Sequence, residues 1–378
     1  GGGGYHATGS SSDNVTTLFD IFQNQKQEEK INRLAQAVTT LIHTINWSYF
    51  KRMGDTAKNE TKPSAKRERF DSCPIETVQI VLTTVIYLIV GMYAARWGYI
   101  AAILLGYAVG GTCINSATLG MHEATHGLVW GKQRKLLNDI SGVIASVPFV
   151  LPAFFPFKHF HLIHHAHTNV DGEPPADPDM PTHFEQWLFN SSLPGRWVGM
   201  FFQQLAYSIR PTIAYKYVPG PLEILNGLFN LVVHYGVWRT SGTSDLAYVA
   251  YVLSSIMLGL AFHPCAMHFY AEHSGLDPKA IGEAKGGSQA QPLPVDTWSY
   301  YGFWNLFIYN VGYHKEHHDN MAVAGYYLPA FREKNRDKYG DSEAVYPSYT
   351  KILFDLFFKR VDLYRNRNDP NDGRDHRR

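Results

Sequence analysis

The sequence has little of what marks several common classes of protein. Only three of its 378 residues are cysteine (Cys73, Cys113 and Cys265), which is too few for a disulfide framework or a cysteine-based zinc site. Charged residues make up 18% of the chain, whereas an average soluble domain has about a quarter. The 34 Lys and Arg nearly balance the 33 Asp and Glu, so the net charge of +1 gives no electrostatic reason to expect a nucleic-acid partner.

Motifs for a built-in electron carrier are missing as well. The sequence contains neither the haem-binding H-P-G-G pattern nor the flavin-binding G-x-G-x-x-G pattern. If the chain carries out redox chemistry, its electrons must therefore come from a separate protein. Residues 1–14 (GGGGYHATGSSSDN) are low in complexity, and we expect them to form a disordered leader.

Long apolar runs, in contrast, are frequent and predict membrane-spanning helices. The run at 77–95 carries no charge over 19 residues, which at about 1.5 Å per residue just crosses a hydrocarbon layer of about 30 Å. The run at 99–121 is equally uncharged, and its glycines suit close helix packing. Two further runs, at 222–238 and 246–268, form a second pair. We expect two transmembrane hairpins; the alternative is a soluble bundle with buried helices.

The distribution of positive charge predicts how these helices are oriented. Lys and Arg are frequent before the first run, between 132 and 158, and from 332 onward, whereas the hairpin connectors hold only Arg96 and Arg239. By the positive-inside rule, both termini and the central loop face the cytoplasm. The sequence thus predicts an all-α membrane protein with four transmembrane helices in two hairpins and a cytoplasmic cap of helices. The predicted segments are an N-terminal cytoplasmic segment (15–76), a membrane domain (77–345) and a C-terminal cytoplasmic tail (346–378).

Histidine is the most unusual feature, because eight of the 18 histidines fall into three short boxes. Positions i, i+3 and i+4 of a helix share a face, so each box projects its histidines in one direction. The predicted topology places all three boxes on one side of the membrane. Histidines beside a bilayer are costly unless they are paired or coordinating, so we predict one or two borderline metal ions there. The predicted ligands are His122, His126, His161, His164, His165, His314, His317 and His318, with His268 as the candidate for a ninth.

The first box also matches another catalytic motif. Residues 122–126 (HEATH) fit the H-E-x-x-H of zinc proteases, in which Glu123 would act as the general base. A zinc protease needs only one further ligand, so this alternative leaves the other clustered histidines unexplained. Glu123 is otherwise expected to hold an imidazole N–H and so to fix its tautomer. A non-catalytic, receptor-like membrane protein with a zinc site is a further alternative.

The three boxes, taken in this order, resemble the membrane fatty-acid desaturase and hydroxylase superfamily. A narrower resemblance is to the sphingolipid Δ4-desaturases, the dihydroceramide desaturases. It rests on residues 177–182 (DPDMPT), which match that family's D-x-D-x-P-T, and on residues 310–314 (NVGYH), which match its N-V-G-Y-H. The HP-x3-HF-x2-EH pattern at 263–273 fits as well.

This resemblance implies a di-iron site that uses O2, with electrons from cytochrome b5 and its NADH-dependent reductase. The implied reaction introduces a trans 4,5 double bond into the sphinganine base of dihydroceramide, at the endoplasmic reticulum membrane. Asn310 and Tyr313 lie in the matching motif and, with Glu123, are the candidate catalytic residues. A sphinganine C4-hydroxylase, or another fatty-acyl desaturase or hydroxylase, stays open because the two reactions begin by removing the same hydrogen.

Overall fold

The first predicted hairpin is present. The computed structural model describes residues 70–242, 246–274, 276, 297–339 and 345–364, so the expectations for 1–69 and for 365–378 lie outside the described residues. Helix α1 (Glu76–Arg96) and helix α2 (Tyr99–His126) are both long and apolar enough to cross a membrane. Gly98 joins them with a φ of 96°, which glycine adopts without the steric penalty that a side chain brings.

The rest of the described chain is mainly helical, with one small sheet. Its elements are α3 (Lys135–Ala145), α4 (Phe154–Ala166), α5 (His183–Ser191), α6 (Leu193–Ala214), α7 (Pro221–Thr240), α8 (Ala247–Phe262), α9 (His268–Glu272), β1 (Ser299–Tyr300), α10 (His314–Asp319), α11 (Leu328–Lys334), α12 (Arg336–Tyr339), β2 (Val345–Tyr346) and α13 (Tyr349–Phe358). The two strands pair in parallel, with Ser299 opposite Val345. This two-stranded sheet departs from the expectation of an all-α chain.

The second predicted hairpin differs from the first. Helix α8 is followed by the helical segment Pro264–Glu272 at an angle of 45°, and the two together are a third candidate span. Helix α7 is not among the candidate spans found in the described chain, although its 20 residues are long enough. Its inward face carries Asn226, Asn230 and His234, which lower its mean hydropathy. The structure therefore has two or three candidate spans, where the sequence predicted four.

Helix α2 and helix α8 cross at a pair of glycines. A Cβ atom on Gly259 would lie 2.5 Å from the Cα atom of Gly111, closer than non-bonded carbon atoms approach. One to two turns earlier in α2, a Cβ atom on Gly106 would lie 2.6 Å from the carbonyl oxygen of Tyr251. Small residues let helix backbones pack closely in a membrane, where there is no hydrophobic drive to bring helices together.

We expect Gly259→Ala to destabilise the protein even though alanine favours helix. The added methyl group meets backbone atoms, so the helices must separate at a cost of about 1–3 kcal/mol. The matched control is Gly236→Ala on α7, where nothing lies within 4 Å of the new Cβ atom. Thermal unfolding in detergent should show a lower midpoint for Gly259→Ala and an unchanged or slightly higher one for Gly236→Ala. Equal midpoints would contradict the close crossing.

The residues after 345 belong to the same hydrophobic core as the rest of the described chain. The ring of Tyr349 on α13 stacks on Tyr300 of β1 at 3.8 Å between centroids. The buried Arg196 guanidinium of α6 donates hydrogen bonds to the carbonyl oxygens of Leu356 and Val361. These contacts hold the C-terminal helix against α6, so the described part of the predicted tail is structured.

Candidate metal centre

Five histidines from all three boxes meet in one cluster. The C-terminal end of α2, the C-terminal half of α4 and helix α10 bring their rings together. The nitrogen atoms that face one another all lie within 4.8 Å. The members of this first cluster are His122, His126, His161, His165 and His317. The i,i+4 spacing within α2 and within α4 places two histidines from each helix on the side that faces the other helix.

The geometry of this cluster fits a shared cation. The Nε2 atoms of His126, His161 and His165 form a triangle with sides of 3.0, 3.1 and 3.0 Å. A neutral imidazole carries one proton, so three Nε2 atoms that all face one another cannot satisfy three mutual contacts by hydrogen bonding. Three nitrogens bound to one metal at about 2.1 Å, with right angles between the bonds, would be separated by about 3.0 Å. The donor set and its spacing therefore fit a transition-metal ion.

A second cluster lies beside the first. The Nε2 atom of His273 is 3.2 Å from that of His164 and 2.8 Å from that of His314. The rings of His318 and His165 lie 4.3 Å apart between centroids, which links the two clusters. His164, His273 and His318 have nitrogen atoms within 4.8 Å of one another.

Four of the clustered histidines outside the membrane-spanning helices differ in the direction of their pKa shift. Burial lowers the pKa of His161, His317 and His318 well below its usual value, and neighbouring imidazoles lower it further. These rings are therefore neutral, which is the form that binds a metal. Burial also acts to lower the pKa of His164, but the carboxylates of Asp177 and Asp179 raise it to about 9. A cation at its Nε2 atom would displace the second proton and leave the Nδ1 proton in place.

The carboxylate of Asp177 fixes that Nδ1 proton. The Nδ1 atom of His164 donates to Asp177 at 2.8 Å, and Asp177 also accepts from the amide of Asn169 at 2.7 Å. Both side chains in this pair are buried. A carboxylate held in this way sets the tautomer and the orientation of the ring, so the Nε2 atom of His164 points towards His273.

Glu123 plays the same part for His122. One carboxylate oxygen lies 3.0 Å from the Nδ1 atom of His122, and the other accepts from the amide of Gly325 at 2.8 Å. The Nε2 atom of His122 is buried and has no hydrogen-bond partner among the described residues. Because both oxygens of Glu123 are engaged with protein groups, its geometry is that of a residue that orients a ligand rather than that of a general base.

Asn310 and Tyr313 support the centre from outside the two clusters. The side-chain amide of Asn310 donates to the carbonyl oxygen of Gly325 at 3.2 Å, and so braces the loop that contacts Glu123. The ring of Tyr313 packs against Tyr301 at 4.6 Å, directly before helix α10 begins.

The structure places His273 among the converging histidines of the second cluster, whereas His268 lies beside the two clusters and lines the same cavity. His268 was the candidate ninth ligand, but it lies outside both clusters and faces Glu272, with 3.4 Å between Nδ1 and a carboxylate oxygen. His273 joins the second cluster instead. The signal for it was the EH pair that ends the HP-x3-HF-x2-EH pattern, since His273 follows the last turn of α9.

A cavity opens on both clusters. The imidazoles of His122, His161, His164, His273 and His314 line one side of it, together with His268. Apolar side chains, among them Leu119, Phe157, Met180, Phe269 and Val311, line other parts. A chain of methylene groups would find an apolar surface here, next to the candidate ligands.

Comparison with known proteins agrees with this geometry. Residues 94–350 match the family model described as fatty acid desaturase. The chain belongs to the fatty acid desaturase family, whose members are oxidoreductases that use O2 and a metal. This membership decides against the H-E-x-x-H protease.

The similar curated proteins define a narrower group. A mouse (Mus musculus) protein named sphingolipid delta(4)-desaturase/C4-monooxygenase DES2 is 34% identical over 265 residues, covering 70% of this chain and 73% of its own. Bovine (Bos taurus) sphingolipid delta(4)-desaturase DES1 is 32% identical, covering 74% and 80%, and human DES1 is 33% identical, covering 67% and 72%. The chain thus belongs to the same family as these sphingolipid delta(4)-desaturases, which confirms the resemblance seen in the sequence.

Proposed function

We propose that this protein desaturates dihydroceramide to ceramide, with the two histidine clusters holding two iron ions. The substrate gives up one hydrogen at C4 and one at C5 of its sphinganine base. O2 is reduced to two water molecules, with two electrons and two protons supplied from outside. The observation that carries the proposal is the pair of adjacent histidine clusters that open on one partly apolar cavity.

The ligand set we propose is the eight box histidines together with His273. When bound, the metals supply the oxidising power that an unactivated C–H bond requires, because such a bond has no acidic proton for a general base. The protein orients the ligands through Glu123 and Asp177. Asn310 and Tyr313 serve as positioning residues around this centre, and His268 lines the substrate cavity.

Helix α7 is proposed as a fourth span, which completes two hairpins with a cytoplasmic cap. Its outward face is apolar, with Leu225 and Val232 more than 60% exposed. Its polar residues point inward, where Asn230 donates to the carbonyl oxygens of Ser146 and Leu151. An apolar exterior around a hydrogen-bonded polar interior is the arrangement that lipid favours.

The proposed function also includes the membrane in which the protein lies and the protein that supplies its electrons. We place the protein in the endoplasmic reticulum membrane, with its termini and metal centre on the cytoplasmic side and the catalytic domain within 77–345. The distribution of Lys and Arg along the sequence supports this orientation. Cytochrome b5 and its NADH-dependent reductase are the proposed electron source.

A C4-hydroxylase activity is the second candidate. It is favoured by the mouse relative, whose name includes C4-monooxygenase beside delta(4)-desaturase. The two activities differ in whether the second hydrogen at C5 is lost or an oxygen atom is inserted at C4.

Expression in cells that lack ceramide desaturation tests both activities. Mass spectrometry of the long-chain bases should show a product lighter than sphinganine by two hydrogen atoms. If the only new product is heavier than sphinganine by one oxygen atom, the activity is hydroxylation and not desaturation. The absence of both products, with the protein expressed and supplied with cytochrome b5, would contradict the proposed function.

A further inference from the structure

One wall of the cavity beside the metal centre is polar. Gln203 and Tyr207 lie one turn apart on α6, so both face the same way, and Asp179 lies in the loop before α5. Tyr207 lies beside Asp179, and a carboxylate oxygen of Asp179 is 3.5 Å from the Nδ1 atom of His164. This wall is therefore next to the second cluster.

Two hydrogen-bond acceptors in this wall are left open. The Oε1 atom of Gln203 and the Oδ1 atom of Asp179 are buried, and neither has a partner among the described residues. Buried acceptors are normally paired, because losing water without gaining a donor is unfavourable. The open acceptors therefore indicate a bound molecule that donates hydrogen bonds at this place.

The charge of the lining restricts what that molecule can be. Asp177, Asp179 and Glu272 line the cavity, whereas the lining contains no Lys or Arg among the described residues. Arg210 lies close by, but its guanidinium pairs with Glu185 and donates to the carbonyl oxygen of Asp179. At this polar wall a phosphate-bearing headgroup would face the carboxylate of Asp179, with no Lys or Arg in the described lining to pair with it.

We propose that Gln203 and Asp179 bind the uncharged polar head of the lipid substrate through its hydroxyl and amide N–H groups. This inference rests on the proposed function and adds a rule of selection: an N-acyl sphinganine is accepted, and its 1-phosphate is rejected. The position also suits the chemistry. In dihydroceramide C4 is bonded to C3, which carries a hydroxyl group, so the head must be held directly beside the metals for C4 to be oxidised.

The test compares two neighbouring glutamines on α6. Gln203→Leu removes the open acceptor. Gln204→Leu is the matched control, because the Gln204 amide donates to the carbonyl oxygen of Leu260 and does not line the cavity. The full-length proteins are purified in detergent, and the binding of a short-chain N-acyl sphinganine is measured without electron donors.

We expect Gln203→Leu to weaken this binding about tenfold, and to raise KM more than it lowers kcat, because one hydrogen bond to the head is lost. Gln203→Glu keeps an acceptor and should bind the neutral lipid more tightly than Gln203→Leu. Gln204→Leu should bind within about twofold of the unaltered protein. Equal binding by Gln203→Leu and the unaltered protein would overturn the proposal.

The selection against phosphate is tested with the 1-phosphate of the same lipid. The unaltered protein should bind the 1-phosphate at least about tenfold more weakly than the neutral lipid. In Asp179→Asn, the difference in affinity between the two lipids should be smaller. Equal binding of the two lipids by the unaltered protein would overturn the selection rule. Tight binding of the neutral lipid without any conversion in the cellular assay would refute the proposed function and leave this lipid site standing.

Discussion

Replacing His161 by alanine is expected to abolish turnover and to remove at least one of the two proposed iron ions. His161 is a corner of the Nε2 triangle in the first cluster, and its ring stacks on Phe157. Without the His161 imidazole, only the Nε2 atoms of His126 and His165 remain from the triangle. We expect activity to fall by at least about a hundredfold, since losing even a residue that only orients a metal ligand reduces metal affinity or activity by about 10–100-fold.

The neighbouring histidine on the same helix is the control. His159 is exposed on α4, and its ring packs on Tyr217, outside both clusters. His159→Ala should therefore keep two irons per chain and full activity. Thermal unfolding with and without added iron separates a lost ligand from a damaged fold. His161→Ala should lose the stabilisation that iron provides, while its metal-free melting point stays close to that of the unaltered protein. Full activity in His161→Ala would refute the proposed centre.

The first hairpin and the shared face of the histidines within each box were predictable from local patterns. Uncharged runs of transmembrane length predict helices α1 and α2 without reference to the rest of the chain. The i,i+4 spacing of His122 and His126 likewise depends only on helix geometry. What these patterns cannot supply is the position of one helix relative to another. The five-histidine cluster therefore needed the structure, which packs α2 against α4 and α10.

His273 shows why one member of the second cluster escaped prediction. It follows the last residue of α9, and its φ of −127° departs from helical geometry. A periodic pattern extrapolates a helix and so favours His268, which shares a helical face with Glu272. The orientation of His273 depends instead on how the chain leaves the helix, and no spacing rule describes that step.

Helix α7 shows a similar limit of prediction from the sequence. Hydropathy averages all faces of a helix, so the inward Asn226, Asn230 and His234 make α7 more polar overall than the surface it presents outward. Their partners, including Ser146 and the carbonyl oxygen of Val147, come from a distant part of the sequence. The sequence predicted a span from the run of apolar residues but had no means of predicting the partners that satisfy its polar side chains.

Replacing Glu123 by glutamine separates its two candidate roles. The carboxylate now accepts from two donors, the Nδ1–H of His122 and the amide N–H of Gly325. A glutamine has a single acceptor oxygen, and its NH2 group would face one of these donors. If the amide faces His122, the ring must move its proton to Nε2, the atom that points towards the other histidines. In that orientation the substitution changes the tautomer of a proposed ligand with little change in side-chain volume.

We expect Glu123→Gln to lower iron affinity about 10–100-fold and to lower activity at limiting iron. Activity should recover substantially when iron is raised, because the substitution weakens the site without removing a ligand. Glu333→Gln on α11, where the carboxylate is 61% exposed and pairs with Arg336, is the control and should leave both quantities unchanged. The decisive comparison is iron titration against turnover in the same preparation. Full iron binding with no turnover would mean that Glu123 handles a proton in the reaction, and the orienting role would then be wrong.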